Sequence, residues 1–173
     1  MRYLYCLLLF LFSCSTPFIT FETKTYGNGV DHWYYADGAL ETVIRPNGKC
    51  VRYWENGNLK EELDYRKGTE IIDGKYKNYY ENGTIKTEID YVNGVRQGKF
   101  KSYYGNGQVE LDVDYVGGVM DGKYMYYDYP GRLQEEMDFK AGQCNGQVKR
   151  YYEGKQYYEA TCVDGNITKE RYM

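Results

Sequence analysis

The sequence predicts an all-β fold: tandem antiparallel β-hairpin repeats of about 24 residues that form an elongated, single-layer twisted sheet. Three observations predict it. The stretch Asp73–Gly118 says nearly the same thing twice, with Gly74 to Gly98, Gly83 to Gly107 and Tyr91 to Tyr115 each spaced by 24 residues. Turn dipeptides ending in glycine punctuate the chain in order, from Asp37-Gly38 and Asn56-Gly57 through Asn82-Gly83, Asn106-Gly107, Pro130-Gly131 and Glu153-Gly154. Between them, apolar and polar residues alternate with a period of two, as a half-buried antiparallel strand requires.

Before the repeats, the start MRYLYCLLLFLFSCS reads as a targeting segment. Arg2 supplies the positive end, and Leu4 to Phe12 an apolar run of 9 residues, too short for a membrane span of roughly 20 residues. Leu11-Phe12-Ser13-Cys14 resembles a bacterial lipobox, the signal after which the cysteine thiol receives a diacylglycerol. Three segments follow: a signal peptide at 1–13, a lipidated start and tether at 14–32, and a repeat domain at 33–173. Residues 15–32 are polar without clear period, and a ragged first hairpin is the other reading of them.

Within the repeat domain, Ile85, Thr87, Ile89 and Tyr91 fall on one face and Lys86, Glu88 and Asp90 on the other. Val109, Leu111, Val113 and Tyr115 repeat the apolar face in the next copy, and Leu133, Glu135, Met137 and Phe139 occupy the same face in the one after. A second set of turns closes each copy: Lys67-Gly68, Asn93-Gly94, Gly117-Gly118, Ala141-Gly142 and Asp164-Gly165. The residue three before each closing glycine is aromatic (Tyr65, Tyr91, Tyr115, Phe139) until the last copy, where it is Cys162. The first copies are irregular and the last loses a residue, as terminal units of an array do. Five or six hairpins correspond to about ten to twelve strands.

Composition sets limits. The 23 tyrosines and 20 glycines suit strands and turns, and a formal charge of -3 offers no field to attract nucleic acid. His32 is the single histidine and no Cys-x-x-Cys spacing occurs, so no metal site is expected and no cofactor. Cys144 and Cys162 fall near one another if Cys162 lies roughly opposite Gly146, and an oxidising compartment permits a disulfide between them. Two buried thiols are the plainer alternative.

Two features of the charged face stand out. Its carboxylates and the lysines of the leading strands predict cross-strand ion pairs, with Lys77 near Glu88 and Lys101 near Asp112. One tyrosine per copy, Tyr79, Tyr103, Tyr127 and Tyr151, recurs every 24 residues on that face. The column is a candidate binding face for protein or glycan, because tyrosine gives rigid amphipathic contact area. A structural ladder is its plainer reading. A repeated open face gives every carboxylate the same surroundings, so no acid and base roles separate and no catalytic residues are expected.

The run G-x-(aromatic)-x-x-Y-Y-x-N-G-x-(aliphatic)-x-x-E-x-x-Y-x-x-G resembles the MORN-repeat variant family of bacteria. Gly74–Gly94 carries it best, then Gly98–Gly118 and Gly122–Gly142, and the likeness extends over about Trp33 to Gly165. The tighter Y-x-G and G-x-G pattern of the standard MORN repeat is missing, so the lipid-binding role suggested for standard repeats is not carried over. The resemblance implies a MORN-like sheet with no catalytic residues, and some members carry an antitoxin label. The expectation is a non-enzymatic scaffold or binding surface, membrane-anchored as a lipoprotein in the bacterial cell envelope (outer membrane or cell surface). Its partner is expected to be a protein or glycan. The alternative is an antitoxin-like partner of a toxin. Open sheet edges also make edge-to-edge self-association an expectation.

Overall fold

In the computed structural model the described residues are 22–25, 30–34 and 37–173. The expected signal peptide, the expected lipid-attachment residue Cys14 and most of the expected tether lie outside them. None of the described residues is helical, and no helix among them is long and apolar enough to cross a membrane.

Fourteen strands form one sheet in strict chain order, each antiparallel to the next. The first five are β1 (Glu22–Thr25), β2 (Asp31–Tyr34), β3 (Leu40–Ile44), β4 (Lys49–Tyr53) and β5 (Leu59–Tyr65). The regular middle comprises β6 (Ile72–Tyr79), β7 (Ile85–Val92), β8 (Val95–Tyr103), β9 (Val109–Val116), β10 (Val119–Tyr127) and β11 (Leu133–Lys140). The array ends with β12 (Gln143–Tyr152), β13 (Lys155–Val163) and β14 (Asn166–Tyr172). The sheet therefore exceeds the ten to twelve strands expected. It also begins before residue 33, because Glu22–Thr25 pairs with Asp31–Tyr34. Strands at an edge need only backbone partners on one side to join, so β1 and β14 carry little of the apolar alternation by which strands were counted.

A single layer has no opposite layer to bury against, and the apolar face solves this in the plane of the sheet. Register places Cys50, Leu63, Tyr76 and Ile89 in one row across β4 to β7. Phe100, Val113, Tyr124, Met137, Val148 and Ala160 continue it across β8 to β13. In the middle of the array the aromatic residues stand on leading strands and the aliphatic ones on returning strands. Each aliphatic side chain there is thus walled by rings on both sides, and Ile89 and Val113 retain only 5% and 3% exposure. The closing aromatic packs edge-on or tilted against the leading ring of its own hairpin: Tyr76 with Tyr91, Phe100 with Tyr115, Tyr124 with Phe139, at 6.1–6.3 Å.

Two kinds of turn link the strands. The closing turns after Lys67-Gly68 hold positive φ at both central positions, as at Asn93-Gly94 (53° and 79°) and Ala141-Gly142 (50° and 84°). The Asn-Gly turns, expected to be of this kind, differ: only the glycine has positive φ, and the loop is longer. Tyr80 N–H donates to the Thr84 carbonyl at 2.9 Å and Gly83 N–H to the Tyr80 carbonyl at 2.9 Å, with the same pair of bonds around Trp54, Tyr104 and Asp128. The asparagine works through its side chain instead. Asn82 Oδ1 accepts from the Thr84 N–H at 3.0 Å, and Asn82 Nδ2 donates across to the Gly105 carbonyl of the next repeat at 3.1 Å.

A register shift recurs where one repeat meets the next, at β5–β6, β7–β8, β9–β10 and β11–β12, around the motif glycines. At Gly122 and Gly146 a Cβ would lie 2.7 and 2.6 Å from the Cβ of Asp114 and Asp138, so no larger residue fits without movement. The same carboxylates receive the N–H that follows the glycine: Lys123 to Asp114 at 3.0 Å and Gln147 to Asp138 at 2.9 Å. Replacing Ile89 by alanine is expected to lower the unfolding free energy by about 2–5 kcal/mol in a urea titration. A loss below 0.5 kcal/mol would contradict the ring-walled core.

Candidate functional site

The charged face is organised by one register row. Glu62, Lys77, Glu88, Lys101 and Asp112 stand opposite one another across β5 to β9. The row runs on through Met125, Glu136, Lys149, Glu159 and Arg171. Its charges alternate in sign except at Met125. The expected pairs form, Lys77 with Glu88 at 3.9 Å and Lys101 with Asp112 at 3.4 Å. Where Met125 leaves a gap, Lys123 bridges both Glu136 (2.9 Å) and Asp138 (2.7 Å), and those carboxylates push its ammonium well above its ordinary pKa. Such a face is close to neutral over a distance of two strands.

The tyrosine column lies on this face, but its members are not equivalent. Tyr79 is 8% exposed, and its hydroxyl donates to Glu62 Oε2 on the preceding strand at 2.6 Å. Tyr103 donates likewise to Glu88. Tyr127 would meet Asp112 in the same way, yet that carboxylate is one methylene shorter and is held by Lys99 and Lys101. The Tyr127 hydroxyl turns to Met125 Sδ at 3.4 Å, and Tyr151 makes no bond from its hydroxyl to the described residues. Tyr79 and Tyr103 are therefore tied into the lattice, whereas Tyr127 and Tyr151 retain their polar tips for other contacts.

The second aromatic of each pair follows a different rule. Trp54 Nε1 donates to the Tyr79 carbonyl at 3.3 Å, Tyr80 Oη to the Tyr103 carbonyl at 2.8 Å, and Tyr104 Oη to the Tyr127 carbonyl at 2.7 Å. Each therefore fastens its repeat to the next. Asp128 ends the series, accepting from Arg132 within its own turn. Beside Trp54 and Tyr80 lies a groove of about 370 Å³, lined also by Lys60, Asn78 and Lys86. Lys60 Nζ sits 4.6 Å from the Trp54 ring centroid and Lys86 Nζ 5.5 Å from that of Tyr80. Sequence reading missed this groove, because it attends to strand faces while the groove forms where a turn residue of one repeat leans over the next. The 24-residue recurrence of an aromatic after the column tyrosine was the available signal.

At the far end, Cys144 and Cys162 form a disulfide, with Cα atoms 5.9 Å apart. Cys162 stands opposite Gly146, where earlier repeats place the closing ring. The covalent bond thus replaces an aromatic pair in the last repeat. Cys50 is fully buried near the other end. His32 lies on β2 near Tyr34, and among the described residues no group of three His, Cys, Asp or Glu could hold a metal ion.

An open, one-layer array of hairpins linked only to their neighbours defines a repeat protein of the binding or scaffold class. Three segments, residues 46–67, 72–93 and 96–116, match the MORN repeat variant, one hairpin each. The repeat type that these three hairpins match is non-catalytic and generally serves binding or scaffolding. The match stops short of the hairpin at Gly122–Gly142, where Asp128 and Pro130 replace the second tyrosine and the turn asparagine. Among curated proteins none matches the chain.

The Tyr79–Glu62 bond makes stability depend on pH at both ends. The Tyr79 hydrogen bond, with help from Lys49, holds the Glu62 carboxyl below its ordinary value against the opposing effect of burial. Its contribution is present above the unfolded value near 4.5 and fades as pH falls through the lower folded value. Burial, then Glu62, raises the Tyr79 phenol well above 10, so that contribution is present below pH 10 and is lost as pH rises above it. Tyr79→Phe is expected to cost about 1 kcal/mol at pH 7. It should also flatten both limbs of a stability profile measured from pH 3 to 11. Parallel profiles for variant and wild type would contradict this coupling.

Proposed function

We propose that the protein is a non-enzymatic scaffold or binding protein of the bacterial envelope, attached to the membrane by lipid on Cys14 and engaging a protein or glycan partner. The observation that carries the reading is the array itself: fourteen strands in one open layer, with a relief of rings and charges that repeats and with open grooves among the described residues. The apolar run Leu4–Phe12 followed by Leu11-Phe12-Ser13-Cys14 supports the address. The binding part of the tyrosine column is its later half, Tyr127 and Tyr151, with exposed Tyr129 and Tyr152 close by in sequence.

The outer edge of β14 offers unpaired backbone groups to a second copy, and a two-fold antiparallel pairing centred on Thr168 sets no like charges opposite one another.

Metabolic labelling with a fatty acid is expected to mark the wild-type protein and not Cys14→Ser. An unlabelled, cytosolic wild-type product would sink the envelope reading and favour the antitoxin-like alternative. Tyr127→Ser with Tyr151→Ser should abolish capture of an envelope ligand while leaving the unfolding midpoint within about 0.5 kcal/mol of wild type. Undiminished capture would return the whole column to a structural role.

A further inference from the structure

The groove between Trp54 and Tyr80 adjoins the tyrosine column, since Tyr79 lines it together with Glu81, and belongs to the opening-turn end of the sheet. Its rings are fixed. Trp54 is held by its indole bond to the Tyr79 carbonyl and Tyr80 by its hydroxyl bond to the Tyr103 carbonyl. Asn56 and Asn58 fasten the intervening turn to the Glu81 carbonyl at 3.0 and 2.7 Å. The rings recur every second strand, a step of about 10 Å. Lys60 and Lys86, one beside each ring, have no carboxylate within ion-pair reach among the described residues, in contrast to Lys77 and Lys101 of the lattice. A platform of rings at this step, each with one uncommitted cation, calls for an extended ligand with a flat apolar surface and one negative charge per step.

We infer that the Trp54–Lys60 and Tyr80–Lys86 groove binds a linear β-1,4-linked glycan bearing a carboxylate on alternate sugars. The disaccharide step of such an extended chain is close to the ~10 Å separation of alternate strands. Pyranose C–H faces pack on rings, and the carboxylates meet the lysines. In the free protein each lysine rests on its ring through a cation–π contact, which at an exposed site is weaker than a charge-assisted hydrogen bond. An arriving carboxylate therefore draws the ammonium off the ring and uncovers the face on which the sugar packs. The groove falls within the size range of ligand pockets, about 300–1,000 Å³. In the next repeat Glu110 stands where Lys60 and Lys86 stand, and Gln134 follows, so the charged track covers two repeats and then stops. A single-stranded nucleic acid would also offer flat rings and anions, but its phosphates recur at each nucleotide and its stacked bases follow a shorter step.

This site deepens the glycan branch of the proposed function. The test uses the lipid-free repeat domain with its disulfide intact and three probes in calorimetry: a neutral β-1,4 chitohexaose, the same hexamer carrying lactyl ether carboxylates on alternate sugars, and a thymidine hexanucleotide. The acidic hexamer is expected to bind at least 10-fold more tightly than the neutral one. Lys60→Gln with Lys86→Gln should remove about 10-fold or more of that affinity per lysine. It should not weaken binding of the neutral hexamer, whose packing face the lysines cover in the free protein, and should shift the unfolding free energy by no more than about 1 kcal/mol per lysine. Lys86→Gln alone, far from any buried contact, checks that the loss is not unfolding. Equal affinity for the two hexamers, no binding of either, or tighter binding of the hexanucleotide would each overturn the inference. Envelope capture and fatty-acid labelling that persist alongside such a failure would leave the anchored scaffold standing without this site.

Discussion

The constraint on which this molecule depends is that its sheet is one layer thick. A sandwich or barrel buries its strands between two layers, but here burial has to come from the neighbouring strand. Ile89 and Val113 reach near-complete burial because a ring stands on either side of each. Those rings are in turn placed by the register, and the register is fixed by glycine bulges at which an aspartate of the previous strand meets the chain. Removing one member loosens the next, so stability accrues through nearest neighbours.

Nearest-neighbour burial also explains the behaviour of the array toward its ends. In the middle, a tyrosine hydroxyl or an indole N–H from each repeat fastens the next repeat's backbone. Asp128 breaks that series, Met125 breaks the alternating charges, and both defects fall in the same strand-and-turn segment. Beyond them the structure changes its means of holding together. The last hairpin carries a disulfide where its predecessors carry a ring pair. A bond across an 18-residue separation supplies locally what a missing neighbour cannot.

The repeat period, the two-faced strands and the pairing of Lys77 with Glu88 were legible in the sequence because they follow from a period of two and a fixed turn. Strand number was less so. The edge strands β1 and β14 need little apolar alternation, and the expected start at residue 33 followed from its absence. The turn type at Asn82-Gly83 was misjudged for a physical reason: asparagine tolerates positive φ, but its side chain also bonds two residues on and across to the next repeat, and those bonds favour the longer turn. Of the candidate site, sequence located the tyrosine column but could not separate Tyr79 and Tyr103 from Tyr127 and Tyr151. That distinction turns on whether the facing carboxylate is a glutamate or a shorter aspartate, and on what else holds it.

Stability and recognition thus occupy different positions of the same repeat. The lattice of alternating charges neutralises itself, and a surface that is neutral at the scale of two strands gives little direction to a charged partner. Specificity can arise only where the lattice leaves a group uncommitted. Such places include the later tyrosines, freed by a glutamate-to-aspartate step and a methionine, and the lysines at the opening turns, which lie on rings rather than on carboxylates. In both, the departure from the repeat consensus is the informative feature. Perfect repetition would maximise burial and ion pairing in every hairpin while making all of them equivalent to a ligand, and the drift of a few side chains is what gives this sheet distinguishable ends.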